Sequence, residues 1–255
     1  LQMGMIIRQF PCLKDNYGFL VRDEASGAVA AVDTPDALAI ERALAEQGWR
    51  LTHILNTHWH PDHAGGNLAL KERWGCRIIG PAGEAARIPG IDEEVSEGAR
   101  VQLGDSSARV IDTPGHTLGH IVFHFAGDAC AFVGDTIFAM GCGRLFEGTP
   151  AQMWASLSKI AALPPETRLY CAHEYTQANA RFALSVDGGN AALRRRAAAV
   201  KAMRSRGEPT VPTTLMEELE SNPFLRAPGI ARALGLGGLA DFEAFAEIRK
   251  RKDAF

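Results

Sequence analysis

Thr57-His58-Trp59-His60-Pro61-Asp62-His63-Ala64-Gly65-Gly66 decides the reading of this chain. Three histidines and one aspartate fall within six positions, directly after the apolar, strand-like stretch His53–Asn56. Imidazole nitrogen and carboxylate oxygen both suit divalent metals of borderline softness. In an extended segment His58 and His60 point the same way, because side chains repeat every two residues. Asp62 and His63 follow Pro61, where the chain can turn. The segment therefore presents two groups of ligands, enough to begin two metal sites but not to complete either.

The remaining ligands are sought where a hydrophobic strand ends in a metal-capable side chain. Three places qualify. The strand at 109–112 runs through Thr113-Pro114-Gly115 to His116, the strand at 129–133 through Gly134 to Asp135, and the strand at 168–171 through Ala172 to His173. Sheet ends meeting solvent are where sites are commonly built. His53, His120 and His124 lie before or within strands and read as packing residues, with His120 able to orient a ligand.

Outward from these points the chain alternates strands and helices. Strands are expected at Ile6–Phe10, Tyr17–Asp23, Ala28–Asp33, Arg77–Ile79, Ile121–Phe125 and Arg168–Cys171. Helices are expected at Pro35–Gln47 before Gly48, at Asn67–Trp74 before Gly75, and from Pro150 behind the N-cap Thr149. The Thr149 helix places Met153, Leu157 and Ile160 on one face. Beyond Gln177 β-branched residues thin out. Ala191–Arg206 closes at Gly207, Thr213 or Thr214 caps Leu215–Glu220, and Asp241–Lys252 spaces Phe242, Phe245 and Ile248 helically. The expected organisation is a mixed α+β domain over 1–173 and a helical one over 174–255.

Composition sets bounds. The 255 residues are 46% hydrophobic and 22% charged, as in an ordinary globular protein. No apolar run reaches the ~18 residues of a membrane span. The opening residues Leu1-Gln2-Met3-Gly4-Met5 lack a signal-peptide pattern, so a cytoplasmic location is expected. Five scattered cysteines with no Cys-x-x-Cys pair fit a reducing compartment. The net charge of −3 argues against a nucleic-acid partner. The acidic body is followed by a basic tail, with 13 Lys+Arg against 9 Asp+Glu over 181–255. An anionic ligand at their junction is one use for that asymmetry.

The Thr-His-x-His-x-Asp-His segment, Pro114-Gly115-His116-Thr117-x-Gly119-His120, Gly134-Asp135-Thr136 and the strand-end His173 resemble the metallo-β-lactamase superfamily. Further segments narrow the resemblance to the hydroxyacylglutathione hydrolase (glyoxalase II) family. These are Asp15-Asn16-Tyr17, Val32-Asp33, Gly141-Cys142-Gly143-Arg144, Phe146-Glu147-Gly148-Thr149, Ala172-His173-Glu174-Tyr175-Thr176, Asn222-Pro223-Phe224-Leu225-Arg226 and Arg249-x-x-Lys252-Asp253. The resemblance implies a four-layer αββα sandwich followed by a small all-helical domain. It implies two divalent ions per chain, zinc first, with iron or manganese as alternatives. His58, His60 and His116 would hold one, Asp62, His63 and His173 the other, and Asp135 both. Asp62 and Asp135 are the residues it casts as catalytic.

The implied reaction is hydrolysis of S-D-lactoylglutathione and related S-(2-hydroxyacyl)glutathiones to glutathione and a 2-hydroxy acid, the second step of methylglyoxal detoxification. A bound divalent ion lowers the pKa of its water to ~7 and polarises the carbonyl, so no Ser or Cys nucleophile is needed. The glutathione half falls to Arg144, Phe146, Tyr175, Arg249 and Lys252. Many members carry Tyr where this chain has Phe146, which removes one hydroxyl contact to the glutathione backbone. Arg249 and Lys252 lie one helical turn apart and can clamp a carboxylate. A monomer is expected. The alternatives are a glutathione persulfide dioxygenase of the same superfamily, with a single iron, and a metal-binding protein without catalysis.

Overall fold

A computed structural model describes residues 4–255. Residues 1–3, on which the signal-peptide expectation partly bears, lie outside the described residues. By their contacts the described residues form two compact units. One runs through Asp112 and resumes over Leu118–Gly134; the other comprises Thr113–Thr117 and Asp135–Phe255.

In the first unit β1 (Met5–Cys12) and β2 (Asn16–Asp23) form an antiparallel ribbon, with Met5 opposite Asp23 and Cys12 opposite Asn16. β3 (Val29–Val32) continues it antiparallel. β4 (His53–Leu55), β5 (Arg77–Pro81) and β6 (Glu93–Val95) then add in parallel. Parallel neighbours need crossover connections: α1 (Ala37–Gln47) lies between β3 and β4, α2 (Pro61–Ala64) and α3 (Asn67–Trp74) between β4 and β5, and a 3-10 helix (Ala82–Arg87) between β5 and β6. α3 and the end of α1 fall where expected, while α1 starts at Ala37, two residues after the expected Pro35, because Asp36 takes the cap. Asp36 caps α1 by accepting from the Leu38 and Ala39 amides, and Gly48 and Gly75 end α1 and α3 at φ 65°. The apolar faces of α1 and α3 bury Ile40, Leu44 and Leu70 against Leu20, Ile54 and Ile78. A second run of strands, β7 (Arg100–Leu103), β8 (Ser106–Asp112), β9 (Ile121–Phe125) and β10 (Cys130–Gly134), is an antiparallel meander.

Asp23, at the end of β2, is a buried anchor of this unit. Burial alone would push its carboxyl up. Hydrogen bonds from the Ser26 side chain and amide, the Ser106 hydroxyl and the Asp105 amide outweigh that and hold it at about 2. A carboxylate whose pKa falls on folding stabilises the native state above its unfolded pKa of about 4, and the contribution fades as pH drops toward 2. Acid unfolding of wild type, followed by circular dichroism, is therefore expected to steepen between about pH 4 and pH 2. Asp23→Asn is expected to lower stability at neutral pH and to flatten that limb.

The second unit opens with a tight hairpin of β11 (Ile137–Phe138) and β12 (Gly141–Cys142). It continues into α4 (Pro150–Ala161), started by a reciprocal capping box between Thr149 and Gln152. Met153, Leu157 and Ile160 are fully buried, as their spacing requires. β13 (Arg168–Cys171) pairs antiparallel with β14 (Thr213–Thr214). The helices are α5 (Thr176–Asp187), α6 (Ala191–Ser205), α7 (Leu215–Ser221), α8 (Ala227–Ala233) and α9 (Asp241–Asp253). The regular structure from 174 on is thus helical apart from the two residues of β14. Two details differ from the sequence reading. Arg206 caps α6, with Gly207 (φ 73°) one residue later. Phe242 is 41% exposed while Phe245 and Ile248 are buried, because it sits at the margin of the α9 apolar face.

Among the described residues no helix is long and apolar enough to cross a membrane. All five cysteines are buried and unbridged. Burial pushes the Cys12 and Cys171 thiols up to about 12 and that of Cys142 to about 11, which fits inert packing residues.

Candidate metal centre

The first unit gathers His58, His60, Asp62 and His63 where β4 gives way to α2. His58 Nε2 lies 3.0 Å from His60 Nδ1, and His63 Nε2 lies 3.5 Å from Asp62 Oδ2. His58 and His63 are buried, with ring centroids 4.0 Å apart. The second unit gathers His116, Asp135 and His173. Asp135 places one oxygen, Oδ2, 3.3 Å from His116 Nε2 and the other, Oδ1, 3.4 Å from His173 Nε2. Donor atoms bound tetrahedrally at ~2.0–2.1 Å stand roughly 3.3–3.4 Å apart. All four spacings lie close to that value. The donor set thus fits divalent metal, and each Asp135 oxygen faces a different histidine.

Residues behind the ligands fix which nitrogen each offers. His63 Nδ1 lies 2.8 Å from Asp33 Oδ2, which leaves Nε2 for the site. Asp33 also accepts from the Thr57 amide at 2.7 Å and hydroxyl at 2.8 Å, and Thr57 Oγ1 is 3.0 Å from His58 Nδ1. One carboxylate therefore orients two histidines. Asn16 Nδ2 donates to Asp62 Oδ2 at 3.0 Å, and buried Glu84 accepts from the Trp59 and Gly119 amides. In the other half, His116 Nδ1 donates to the Arg144 carbonyl at 2.9 Å. Asp33, Thr57 and Glu84 were missed as site residues. Asp33 carried a usable signal, since Val32-Asp33 ends a buried strand just as Gly134-Asp135 does; Glu84 lies in a short 3-10 helix (Ala82–Arg87) with no pattern to mark it. His120 stacks on His58 at 4.7 Å, while His124 lies buried in β9 and burial lowers its pKa.

The residues expected to hold substrate all lie in the second unit. Tyr175 stacks on His173 with centroids 4.8 Å apart, and Phe146, 64% exposed, lies 5.2 Å from the His116 ring. Burial, then the charges of Arg249, Arg181 and Arg144, push the Lys252 ammonium down. Four cations so placed favour an anion among them. Arg249 is more committed than an open clamp. It is buried, with Nε and Nη2 on Asp253 Oδ1 and Nη1 on the Cys142 carbonyl at 3.1 Å.

Comparison with known proteins places the chain in a family. Residues 29–173 match the profile of the metallo-beta-lactamase superfamily, and residues 174–255 match that of the hydroxyacylglutathione hydrolase C-terminus. The hydroxyacylglutathione hydrolase of Maricaulis maris (strain MCS10) is 57% identical over 253 residues, spanning 98% of this chain and 99% of that protein. The chain belongs to the hydroxyacylglutathione hydrolase family. The relative of the same name from Methylococcus capsulatus (strain ATCC 33009 / NCIMB 11132 / Bath) is 56% identical, covering 98% of both chains. Among solved structures, ETHE1 from Myxococcus xanthus superposes with a TM-score of 0.70 at 26% identity, covering 96% of this chain and 90% of that one. TTHA1623 in a di-iron-bound form shares the fold, with a TM-score of 0.63 at 23% identity over 86% of this chain and all of that one. The fold is that of the metallo-β-lactamases with a helical C-terminal segment. Full-length relatives named for the hydrolase, together with the C-terminal profile, weigh against the persulfide dioxygenase alternative.

Proposed function

We propose that this chain hydrolyses S-D-lactoylglutathione and related S-(2-hydroxyacyl)glutathiones to glutathione and the 2-hydroxy acid. Residues 1–173 form the catalytic domain in this reading and 174–255 the substrate-binding one. The observation that carries it is the two-sided Asp135, each oxygen facing a different buried histidine, in a chain whose family is named for this reaction.

Two divalent ions are assigned to the site, with zinc the first choice and iron or manganese also suited to an all-N/O donor set. His58, His60 and His116 would hold one, Asp62, His63 and His173 the other, and Asp135 both. When bound, such ions supply a water of lowered pKa and a Lewis acid for the thioester carbonyl. The chain's own residues do the rest. Asp33 and the Arg144 carbonyl keep His63 and His116 in the tautomers whose Nε2 is available. Asp62, steadied by Asn16 and partly exposed, carries negative charge to the solvent side of its group. Arg144 and Lys252 attract the carboxylates of the glutathione moiety, Arg249 adds charge from behind, and Tyr175 and Phe146 offer apolar walls. The protein acts as a cytoplasmic monomer on a small thioester, with neither nucleic acid nor membrane as partner.

The decisive assay follows S-D-lactoylglutathione cleavage before and after chelation, alongside metal analysis. Loss of turnover on chelation and recovery on adding zinc are expected. Oxygen consumption with glutathione persulfide, in place of thioester cleavage, would overturn the reading. Lys252→Ala is expected to raise KM about tenfold and leave kcat within about twofold, since it removes binding that ground and transition states share. A collapsed kcat at unchanged KM would remove Lys252 from the substrate site.

A further inference from the structure

We propose that Glu218 and Asn222 are positioning residues for His116 and Asp135, acting through the hairpin at residues 137–142. The inference rests on the assignment of His116 and Asp135 as ligands. The hairpin leaves the chain directly after Asp135, and residues 137–142 are all buried. Buried backbone groups need partners, and here the partners are side chains from distant helices. Asn222 Nδ2, at the end of α7, donates to the Phe138 carbonyl at 3.1 Å and the Gly141 carbonyl at 3.0 Å. Asn179 of α5 donates to the Ala139 carbonyl at 3.1 Å, and Arg249 of α9 to that of Cys142. The Met140 amide donates to Glu218 Oε2 at 2.9 Å. Met140 holds φ 54°, a conformation that a residue with a side chain adopts only when its surroundings insist. Its side chain is packed with Ala180, Ala183 and Leu193 of α5 and α6.

Glu218 and Asn222 brace each other. Asn222 Nδ2 donates to Glu218 Oε2 at 2.9 Å, and Glu218 Oε1 accepts from Thr213 and pairs with Arg196. What they hold reaches the ligands by a short route. The chain returning from the hairpin passes Gly143, whose amide donates to the Thr136 carbonyl at 3.3 Å. A Cβ on Gly143 would stand 2.0 Å from the Asp135 carbonyl oxygen and 3.1 Å from His116 Nδ1, so no side chain fits there. The next residue, Arg144, supplies the carbonyl that takes the His116 Nδ1 proton. A displaced hairpin therefore moves the Asp135 backbone and the acceptor that sets the His116 tautomer together. Losing a partner bonded directly to a ligand, as the Arg144 carbonyl is to His116, typically changes metal affinity or activity by about 10–100-fold.

The test uses full-length protein loaded with cobalt(II) as well as zinc, comparing wild type with Asn222→Ala and Glu218→Gln. Expected are soluble, helical variants with an altered cobalt visible spectrum and metal affinity lower by about tenfold or more. Turnover per bound metal should fall about tenfold, with KM within about twofold. An unchanged cobalt spectrum and unchanged kcat, with only a lower Tm, would reduce both residues to structural supports and overturn the proposal. So would a raised KM at constant kcat, the mark of a purely substrate-binding role. Should Glu218→Gln fail to fold because Arg196 loses its counter-charge, Asn222→Ala, which touches no charge balance, decides alone. If wild type does not cleave the thioester, the functional assignment fails by itself, and cobalt spectra and metal affinity still judge the positioning role.

Discussion

Asp135→Asn is expected to bind less than half the metal of wild type and to turn over S-D-lactoylglutathione roughly 1,000-fold more slowly, equivalent to about 4 kcal/mol. The size follows from geometry. Each Asp135 oxygen faces a different imidazole, at 3.3 and 3.4 Å. An amide keeps the shape but offers one acceptor oxygen and one donor NH2. The NH2 side would point a proton at a histidine nitrogen or a cation, and the negative charge that balances the buried site is lost. Both coordination groups should suffer at once. His116→Ala, by contrast, should mainly affect the group to which it belongs. Metal analysis of the two variants under identical loading is the measurement. Wild-type metal content in Asp135→Asn would sink the shared role.

Arg196→Ala should destabilise the protein strongly, by about 3–5 kcal/mol. Glu218 is completely buried and pairs with Arg196, which also donates to Thr213 Oγ1 and Ser221 Oγ. Truncating the arginine leaves a carboxylate in the interior with its main counter-charge gone. For a chain of this size the loss corresponds to a fall in Tm on the order of 10 °C. The partner experiment is the double variant Arg196→Met with Glu218→Leu, which removes both charges. It should recover most of the thermal stability, because well-packed apolar pairs often equal buried ion pairs. It should not recover cobalt spectrum or turnover, because Met140 still lacks its acceptor. Recovery of both would argue that the carboxylate serves folding alone.

Much of this was legible along the chain because its determinants are local. Thr149-Pro150 announces α4, Gly75 ends α3, and an apolar run broken by Asp135 or His173 marks a strand end facing a site. The two-fold side-chain period of His58 and His60 is a property of any extended segment. Elements with weak local signals were harder. β6 and β7 are short and charged, Glu93-Glu94-Val95 and Arg100-Val101-Gln102-Leu103. α5 begins at Tyr175 with no side-chain cap, so nothing in Tyr175-Thr176-Gln177 announces a helix. Least legible was the grip on the hairpin. Asn179, Asn222 and Arg249 reach it from 40, 84 and 107 residues away. Separations of that length leave no periodic trace. The same blindness made Arg249 look like an open cation, when most of its fork is spent on Asp253 and Cys142.

The concealed thiols give the molecule a built-in stopwatch. Reagents such as iodoacetamide consume thiolate, and groups held near 11 or 12 are ionised on the order of one part in ten thousand or less near pH 7. Mass added per chain, read by spectrometry after a timed exposure, thus counts excursions of the interior into solvent.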